Sequence, residues 1–575
     1  MSMRQTLPTS SRVSHAASDS TSHASQSQDT SDAHDGIWSQ GTRTASCRQY
    51  GAVTQASTDT VFHRTTSSLN LPRQTDQDTV SSALRIREIS TRHLIALLTA
   101  TLVAGLVGWW ISLSLETPVD NPAGLSPHGA VTLSIFAIAV WFWIFTAIDD
   151  TYVALGATLL LVVLGILPED TLFESLGDDT IWLLIGSFMI SAGITHSGLA
   201  TRAASFIITG ARTPRQLLHL SSAALLATAF TVPATSGRAA LAMPVFLALA
   251  SVLRSRPRLV LALALAFPSV ILLTAVASYL GAGAHLITSQ ILATSGYPAF
   301  SFATWMIYGL PLALVASFVC IELILLLFTT PEEREQTLDI STSDLQAHTS
   351  IPITGRLTAA QTRAAALVCG VVALWCAEPL HGVHPAVIAL GGGLAMCSES
   401  LGVVKLGKAL KSVPWSLMIF MATTLAMGGA LVRSGAARWA AEGMLGPIRE
   451  AGQTAAMLFI VVIVLISTAA HLIIQSRSAR SAVLIPLVVS MAPQVGVSAV
   501  AAAFASTAAA GFCHTMSSSA KPMAMFAQVD DAPTYNARDI LRLAIWLAPI
   551  SALLVLLFSF IIWPLMGMPW MAPRS

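Results

Sequence analysis

The sequence predicts an all-α polytopic membrane protein, with about eleven transmembrane helices plus two re-entrant hairpins in an inverted repeat. Three observations predict it. The 575 residues are 54% hydrophobic and 11% charged, with a mean hydropathy of +0.68, whereas an ordinary soluble domain carries about 25% charge. Apolar runs long enough to cross a bilayer recur along the chain. Two stretches read alike, Ala234-Thr235-Ser236-Gly237-Arg238-Ala239-Ala240-Leu241-Ala242-Met243-Pro244 and Ser476-Arg477-Ser478-Ala479-Arg480-Ser481-Ala482-Val483-Leu484-Ile485-Pro486. Each sets small polar residues and an arginine before an apolar run ending in proline. An arginine at membrane depth is expensive, so a repeated one points to function.

Residues 1–90 are rich in Ser, Thr, Gln, Asp and Arg, without an apolar core or a helical period. Such a segment buries too little surface to offset its ordering entropy, so a disordered cytoplasmic tail is expected. It lacks the apolar run of a signal peptide. Arg85, Arg87 and Arg92 precede the first apolar run, 94–115, and place the tail in the cytoplasm by the positive-inside rule. A net charge of +1, with basic residues confined to short loops, excludes nucleic acid as a partner and leaves the lipid bilayer. The membrane expected is the plasma (inner) membrane. Cys47, Cys320, Cys369, Cys376, Cys397 and Cys513 show no CxxC or metal-like spacing and are expected as small buried residues.

Further candidate spans are 130–148, 151–167, 180–210, 259–290, 300–328, 360–378, 384–400, 412–445, 497–528 and 540–568. Two more apolar segments, 215–253 and 454–493, are interrupted, at Pro233 to Gly237 and from Ser476. Each half is expected to be too short to cross, so each segment is expected to form a hairpin whose irregular tip is buried in protein. Hairpins put Arg202, Arg212, Arg215, Arg254, Arg256, Arg258, Arg334, Arg356, Lys405, Lys408, Lys411, Arg538 and Arg542 on the cytoplasmic side. Only a few basic residues, among them Arg433, Arg438, Arg449 and Arg574, fall outside. The expected organisation is therefore 94–328 as first span plus first inverted repeat, 329–358 as a cytoplasmic linker, and 359–568 as second repeat.

Internal echoes support the duplication. Ser197-Gly198-Leu199-Ala200-Thr201-Arg202-Ala203-Ala204 is matched by Ser434-Gly435-Ala436-Ala437-Arg438-Trp439-Ala440-Ala441, each followed by an interrupted segment. After each comes a span broken by small residues, Gly281-Ala282-Gly283-Ala284-His285-Leu286-Ile287 and Ser517-Ser518-Ser519-Ala520-Lys521-Pro522-Met523. One leading span shifts the parity, giving the halves opposite orientation. Inverted repeats with broken helices at matched positions point to a secondary transporter with its site near the midplane.

This order of elements resembles the divalent anion/sodium symporter family of di- and tricarboxylate and sulfate transporters, in the ion transporter superfamily, over about residues 94–568. In that family each hairpin tip carries Ser-Asn-Thr and each broken span a Thr-Pro-Pro-Asn-like turn. Here the tips read Ala234-Thr235-Ser236 and Ser476-Arg477-Ser478, and the turns Ala282-Gly283-Ala284-His285 and Ser518-Ser519-Ala520-Lys521. The resemblance implies a small divalent or trivalent organic anion or sulfate as substrate, alternating access and a homodimer. Thr235, Arg477, His285 and Lys521 stand where the family has asparagine. Cationic groups repel Na⁺, so the sodium sites are expected to be altered. Proton coupling or anion exchange becomes more attractive than Na⁺ coupling, with Na⁺ and H⁺ both left open and no other cofactor expected.

The expected anion site comprises Thr235, Ser236, Gly237 and Arg238 from the first tip, Ser476, Arg477, Ser478 and Arg480 from the second, and His285, Ser518, Ser519 and Lys521 from the broken spans. A guanidinium fork holds carboxylate or sulfate through two hydrogen bonds, and a helix N-terminus adds partial positive charge. His285 also suits proton carriage, with lesser claims for His471 and His514.

Blander readings stand beside these. Arg238, Arg480 and Arg477 can bond helix-end carbonyls or snorkel, Lys521 can pair with Asp530 or Asp531, and His285 can be an ordinary satisfied histidine. Asp149, Asp150 and Glu322 are expected at interfaces, as are Trp109, Trp110, Trp141, Trp143, Trp563 and Trp570. Gly391 to Gly393, Gly428-Gly429 and Ala499 to Ala503 read as helix packing. No catalytic triad or HExxH pattern is present, so an enzyme is not expected. An anion channel and a cation/proton antiporter of related fold are the alternatives, the latter disfavoured by basic residues where it needs carboxylates.

Overall fold

In apolar surroundings every backbone N–H and C=O must be satisfied within the chain, and this chain does so with helices. The computed structural model describes residues 125–146, 148–338, 346, 355–449, 454–527, 529 and 532–572. The tail at 1–90, the first span at 94–115, most of the linker, and Asp530 and Asp531 lie outside the described residues.

α1 (Pro127–Phe145) and α2 (Asp150–Val163) are followed by a short helix, Glu169–Leu176, and then by α3 (Asp179–Ser197), α4 (Leu199–Ile208), α5 (Pro214–Ala227), α6 (Thr235–Val252), α7 (Pro257–Leu273), α8 (Gly283–Thr294) and α9 (Phe302–Phe328). The same order recurs as α10 (Ala359–Cys376), α11 (Pro385–Cys397), a short helix Leu406–Lys411, α12 (Trp415–Arg433), α13 (Ala436–Arg449), α14 (Ala455–Ala469), α15 (Arg477–Met491), α16 (Ala499–Ala509), α17 (Lys521–Ala527) and α18 (Ala537–Leu557). Among the described residues ten helices are long and apolar enough to cross a membrane, and an isolated bridge, Val497 to Met571, is the sole strand pairing.

Local chemistry repeats with the order. Gly198 between α3 and α4, and Gly435 between α12 and α13, both turn the chain through left-handed backbone, at φ 71° and 76°. α7 and α16 each end short of the helix that follows. A 3₁₀ turn, Tyr279–Gly281 or Ser517–Ser519, and one extended residue, Ala282 (φ −157°, ψ 148°) or Ala520 (φ −157°, ψ 144°), precede α8 and α17. This conformational match corrects one expected pairing. With Ala282 equivalent to Ala520, Lys521 corresponds to Gly283 and His285 to Met523, because the backbone, not the basic character, sets the register.

Helix length also departs from expectation. α6 has 18 residues, and the runs Ala455–Leu472 and Arg477–Val495 have 18 and 19, so only α5, with 14, is clearly too short to cross. Length alone therefore does not make the interrupted segments hairpins.

Packing is crosswise between the repeats. α3 lies against α11, where a side chain at Gly186 would strike the Ala389 backbone, and α12 lies against α2, where Thr158 Oγ1 donates to the Thr423 carbonyl at 3.0 Å. α8 packs on α15 and α17 packs on α6 and α7. Phe246, Phe267 and Phe526 seal the second arrangement, with ring centroids 5.4 to 5.8 Å apart. Trp563, expected as an interfacial anchor, is instead buried, and its indole donates to the Tyr308 carbonyl at 3.0 Å. Cys320 and Cys513 are buried, whereas Cys369 and Cys376 are exposed.

Candidate functional site

The two repeated arginines occupy one position twice. Arg238 and Arg480 are each the fourth residue of a helix, α6 or α15, that begins right after an interruption, and each is fully buried. Interrupting a helix frees carbonyls that have no intrahelical donor. Arg238 supplies donors to them. Its Nε donates to Thr228 Oγ1 at 2.9 Å, Nη1 to the Ile271 carbonyl at 2.9 Å, and Nη2 to the Leu225 carbonyl and Thr274 Oγ1, each at 2.7 Å. Arg480 does the same more sparsely: Nη1 donates to the Phe512 carbonyl at 3.3 Å, Nη2 lies 2.8 Å from Cys513 Sγ, and Nε has no partner. In this conformation Arg238 presents no open fork, and both arginines stitch the end of the preceding or following broken helix to their own helix start.

Arg477 is different. It opens α15 behind Ser476, whose hydroxyl caps the helix by accepting the Ala479 N–H at 3.3 Å. Its Nη2 donates to the Gly511 carbonyl at 2.8 Å and makes a longer contact, 3.4 Å, with the Leu272 carbonyl. One guanidinium therefore bridges the frayed ends of α16 and α7, one from each repeat. Half-buried, it lines a crevice with His285, Thr507 and Ser551, walled by Leu312, Leu554 and Val555.

His285 is buried in α8, its Nδ1 donating to the Ser278 carbonyl at 3.0 Å and its ring stacked on Trp305 at 4.7 Å. That bond fixes the tautomer while the ring is neutral, leaving Nε2 for protonation or a ligand. His471 bonds the Thr468 carbonyl and Thr515 Oγ1 and packs edge-on against Phe512, and His514 is buried.

The structure thus gathers Ser476, Arg477 and Ser478 against Gly283 and His285. A Cβ at Gly283 would come to 3.0 Å from Ser478 Oγ and 3.2 Å from Leu417 Cδ1, so the start of α15 and the turn before α8 approach closely at this glycine. Thr235, Ser236 and Gly237 are half-buried at the start of α6, beside α17. Ser519 is buried and accepts the Met516 N–H at 3.2 Å, while Ser518 and Lys521 are exposed at the second turn.

Three participants escaped the sequence. Thr228 and Thr274, the hydroxyl acceptors of Arg238, carry no signal beyond their small polar character. Asp150, expected at an interface, opens α2 beside the start of α12, where Thr151 Oγ1 donates to the Ser416 carbonyl at 3.1 Å. The adjacent pair Asp149-Asp150 between two apolar runs was the available signal.

Irregular backbone within an apolar bundle is stable only when buried in protein or lining a cavity, and two facing interruptions around a guanidinium give the build of a membrane transporter. The chain belongs to the citrate transporter family (CitMHS), whose model matches residues 140–509, from within α1 to the end of α16. It is an integral membrane transporter. A membrane protein of Cupriavidus necator is 23% identical over 500 residues, covering 81% of this chain and 93% of the relative. The crystal structure of the Alcanivorax borkumensis YdaH transporter aligns with a TM-score of 0.46 at 14% identity, covering 83% of this chain and 99% of that one.

Proposed function

We propose that this protein is a secondary transporter of small divalent or trivalent organic anions, di- or tricarboxylates, working by alternating access. The observation that carries this reading is Arg477: a guanidinium at a serine-capped helix start, bridging the interrupted helices of both repeats beside His285. A carboxylate there meets a positive fork, the positive end of α15 and the hydroxyls of Ser476 and Ser478. Thr235 and Ser236, with Ser518, Ser519 and Lys521, form the opposing half, and Arg238 and Arg480 hold the backbone that carries both. Membership of the citrate transporter family supports a carboxylate over sulfate.

In this reading the segments around 231–234 and 473–476 are re-entrant tips of two oppositely oriented repeats, the N-terminus is cytoplasmic in the plasma (inner) membrane, and the carrier is a homodimer. His285 is the proton carrier if flux is proton-coupled. The test is uptake of labelled succinate, citrate and sulfate by purified proteoliposomes, with Na⁺ and pH gradients imposed separately. Saturable flux and counterflow driven by a pH gradient or internal anion support a carrier without sodium coupling. Non-saturating flux without counterflow means a channel, and strict Na⁺ dependence removes the coupling part of the proposal.

A further inference from the structure

The crevice that Arg477 and His285 line has an outlet that a site for small polar anions does not explain. It runs between Leu312 and Ala316 of α9 and Ser551, Leu554 and Val555 of α18, the last long helices of the two repeats, which pack on one another. Matching Ala282 with Ala520 also aligns Pro311 of α9 with Pro549 of α18. A proline inside a helix removes a backbone bond and displaces the turn before it, so neither wall runs straight past the crevice. Ser551 stands at the middle of the apolar run Ala537–Leu565, and Ala316 beside the middle of Phe302–Phe328, which sets the outlet at mid-bilayer depth. Ser551 and Leu554 are only half-buried, so the crevice reaches the surface there. The flanks face outward, with Leu314 49% exposed, Phe318 53% and Leu553 66%. At that depth the surroundings are hydrocarbon.

Inside, the chemistry is divided. Leu272, Leu273, Val276, Leu312, Leu554 and Val555 give apolar walls. At the inner end both hydrogen bonds that Arg477 makes among the described residues come from Nη2, which leaves Nε and Nη1 for a ligand. His285, 2% exposed, bonds through Nδ1 and lines the same crevice, with Nε2 left over as an acceptor. An apolar passage ending in a guanidinium and an imidazole nitrogen fits a molecule with one carboxyl group and an apolar chain. Carrying several charges to the centre of a bilayer is prohibitive, whereas a single carboxylic acid crosses hydrocarbon in its neutral form. We propose that the crevice between α9 and α18 is a side entrance from the bilayer that binds fatty acids. The acid O–H donates to His285 Nε2 and the carbonyl oxygen accepts from Arg477, while the chain lies along the apolar walls. This rests on reading Arg477 as an anchor for carboxylates, and it adds a ligand and a route that a di- or tricarboxylate cannot take. A fatty acid held there occupies the guanidinium and blocks citrate.

The probe is decanoic acid carrying a diazirine at its far end, with the corresponding alcohol as control, photolysed with the full-length protein in phosphatidylcholine nanodiscs and mapped by mass spectrometry. The acid is expected to label the stretches 312–316 and 551–555 about tenfold more than the alcohol does, the preference that one charge-assisted contact gives. Excess unlabelled decanoate removes this labelling. Arg477→Gln reduces it to the level of the alcohol, and so does Ser551→Trp, which narrows the outlet without touching a charge. Equal labelling by acid and alcohol, or label spread evenly over all lipid-facing spans, overturns the proposal. Acid-specific labelling retained in a monodisperse Ser551→Trp protein overturns it too, since the acid then arrives through water. Saturating citrate separates this inference from the citrate-binding role of Arg477. Label that citrate displaces supports one shared guanidinium, whereas acid-specific label that persists leaves the fatty-acid site standing and removes Arg477 from citrate binding.

Discussion

Arg238 and Arg477 come from different repeats yet donate to neighbouring carbonyls, Ile271 at 2.9 Å and Leu272 at 3.4 Å. The starts of α6 and α15 therefore converge on the frayed end of α7. The two guanidiniums nevertheless have different tasks, because Arg238 is bonded to four protein oxygens and Arg477 faces a crevice.

Replacing Arg238 by Gln leaves several buried acceptors without donors. A loss of roughly 3 kcal/mol is expected, against roughly 1 kcal/mol for Arg480→Gln, whose parent makes fewer bonds. Thermal unfolding of the detergent-solubilised variants checks the order; equal losses would remove the asymmetry argued here.

Arg477→Gln is expected to leave folding near normal and to raise the apparent KM for carboxylate by about tenfold or more, since a bidentate charged contact is lost. A monodisperse variant with unchanged concentration dependence of uptake would exclude Arg477 from binding.

Gly283→Leu is expected to stop transport while the protein still folds, because its side chain would wedge between Ser478 and Leu417 where the tip meets the turn. Wild-type flux in this variant would show that the approach is not used.

Gly186→Val is expected to prevent stable folding, because a Cβ there falls on the Ala389 backbone. Gly391→Ala, whose added carbon meets nothing within 4 Å, is expected to be neutral or to gain up to about 1 kcal/mol from helix propensity. Size-exclusion profiles of the two distinguish a packing glycine in α3 from an idle one in α11.

Glu322 accepts from Arg215 Nε at 2.9 Å and lies 2.7 Å from His219 Nε2, with side-chain exposures of 31%, 59% and 26% for Glu322, Arg215 and His219. Partly exposed pairs contribute little, so Glu322→Gln is expected to cost under about 1 kcal/mol of stability. A loss comparable to that of Arg238→Gln would mean this cluster is a principal tie between α5 and α9.

Much of this was legible in one dimension. Hydropathy revealed the membrane class, and the echoes around Gly198 and Gly435 and around Arg238 and Arg480 revealed the duplication, because equivalent backbone turns demand equivalent residues wherever they occur. The role of Arg238 was less legible, since a guanidinium suits a substrate anion and a frayed carbonyl equally well, and only the positions of Leu225, Thr228, Ile271 and Thr274 separate the two. Lys521 was paired with His285 by chemical likeness, whereas the matching extended residues Ala282 and Ala520 place it opposite Gly283.

The sequence by itself determined that the chain is apolar, helical, duplicated and interrupted at matched places, since these follow from local composition and from the cost of unsatisfied backbone in lipid. The tertiary structure decided which side chain answers each freed carbonyl and which glycines touch backbone. Those are relationships between residues hundreds of positions apart, fixed by crosswise packing of α3 on α11 and α12 on α2, and no local pattern encodes them.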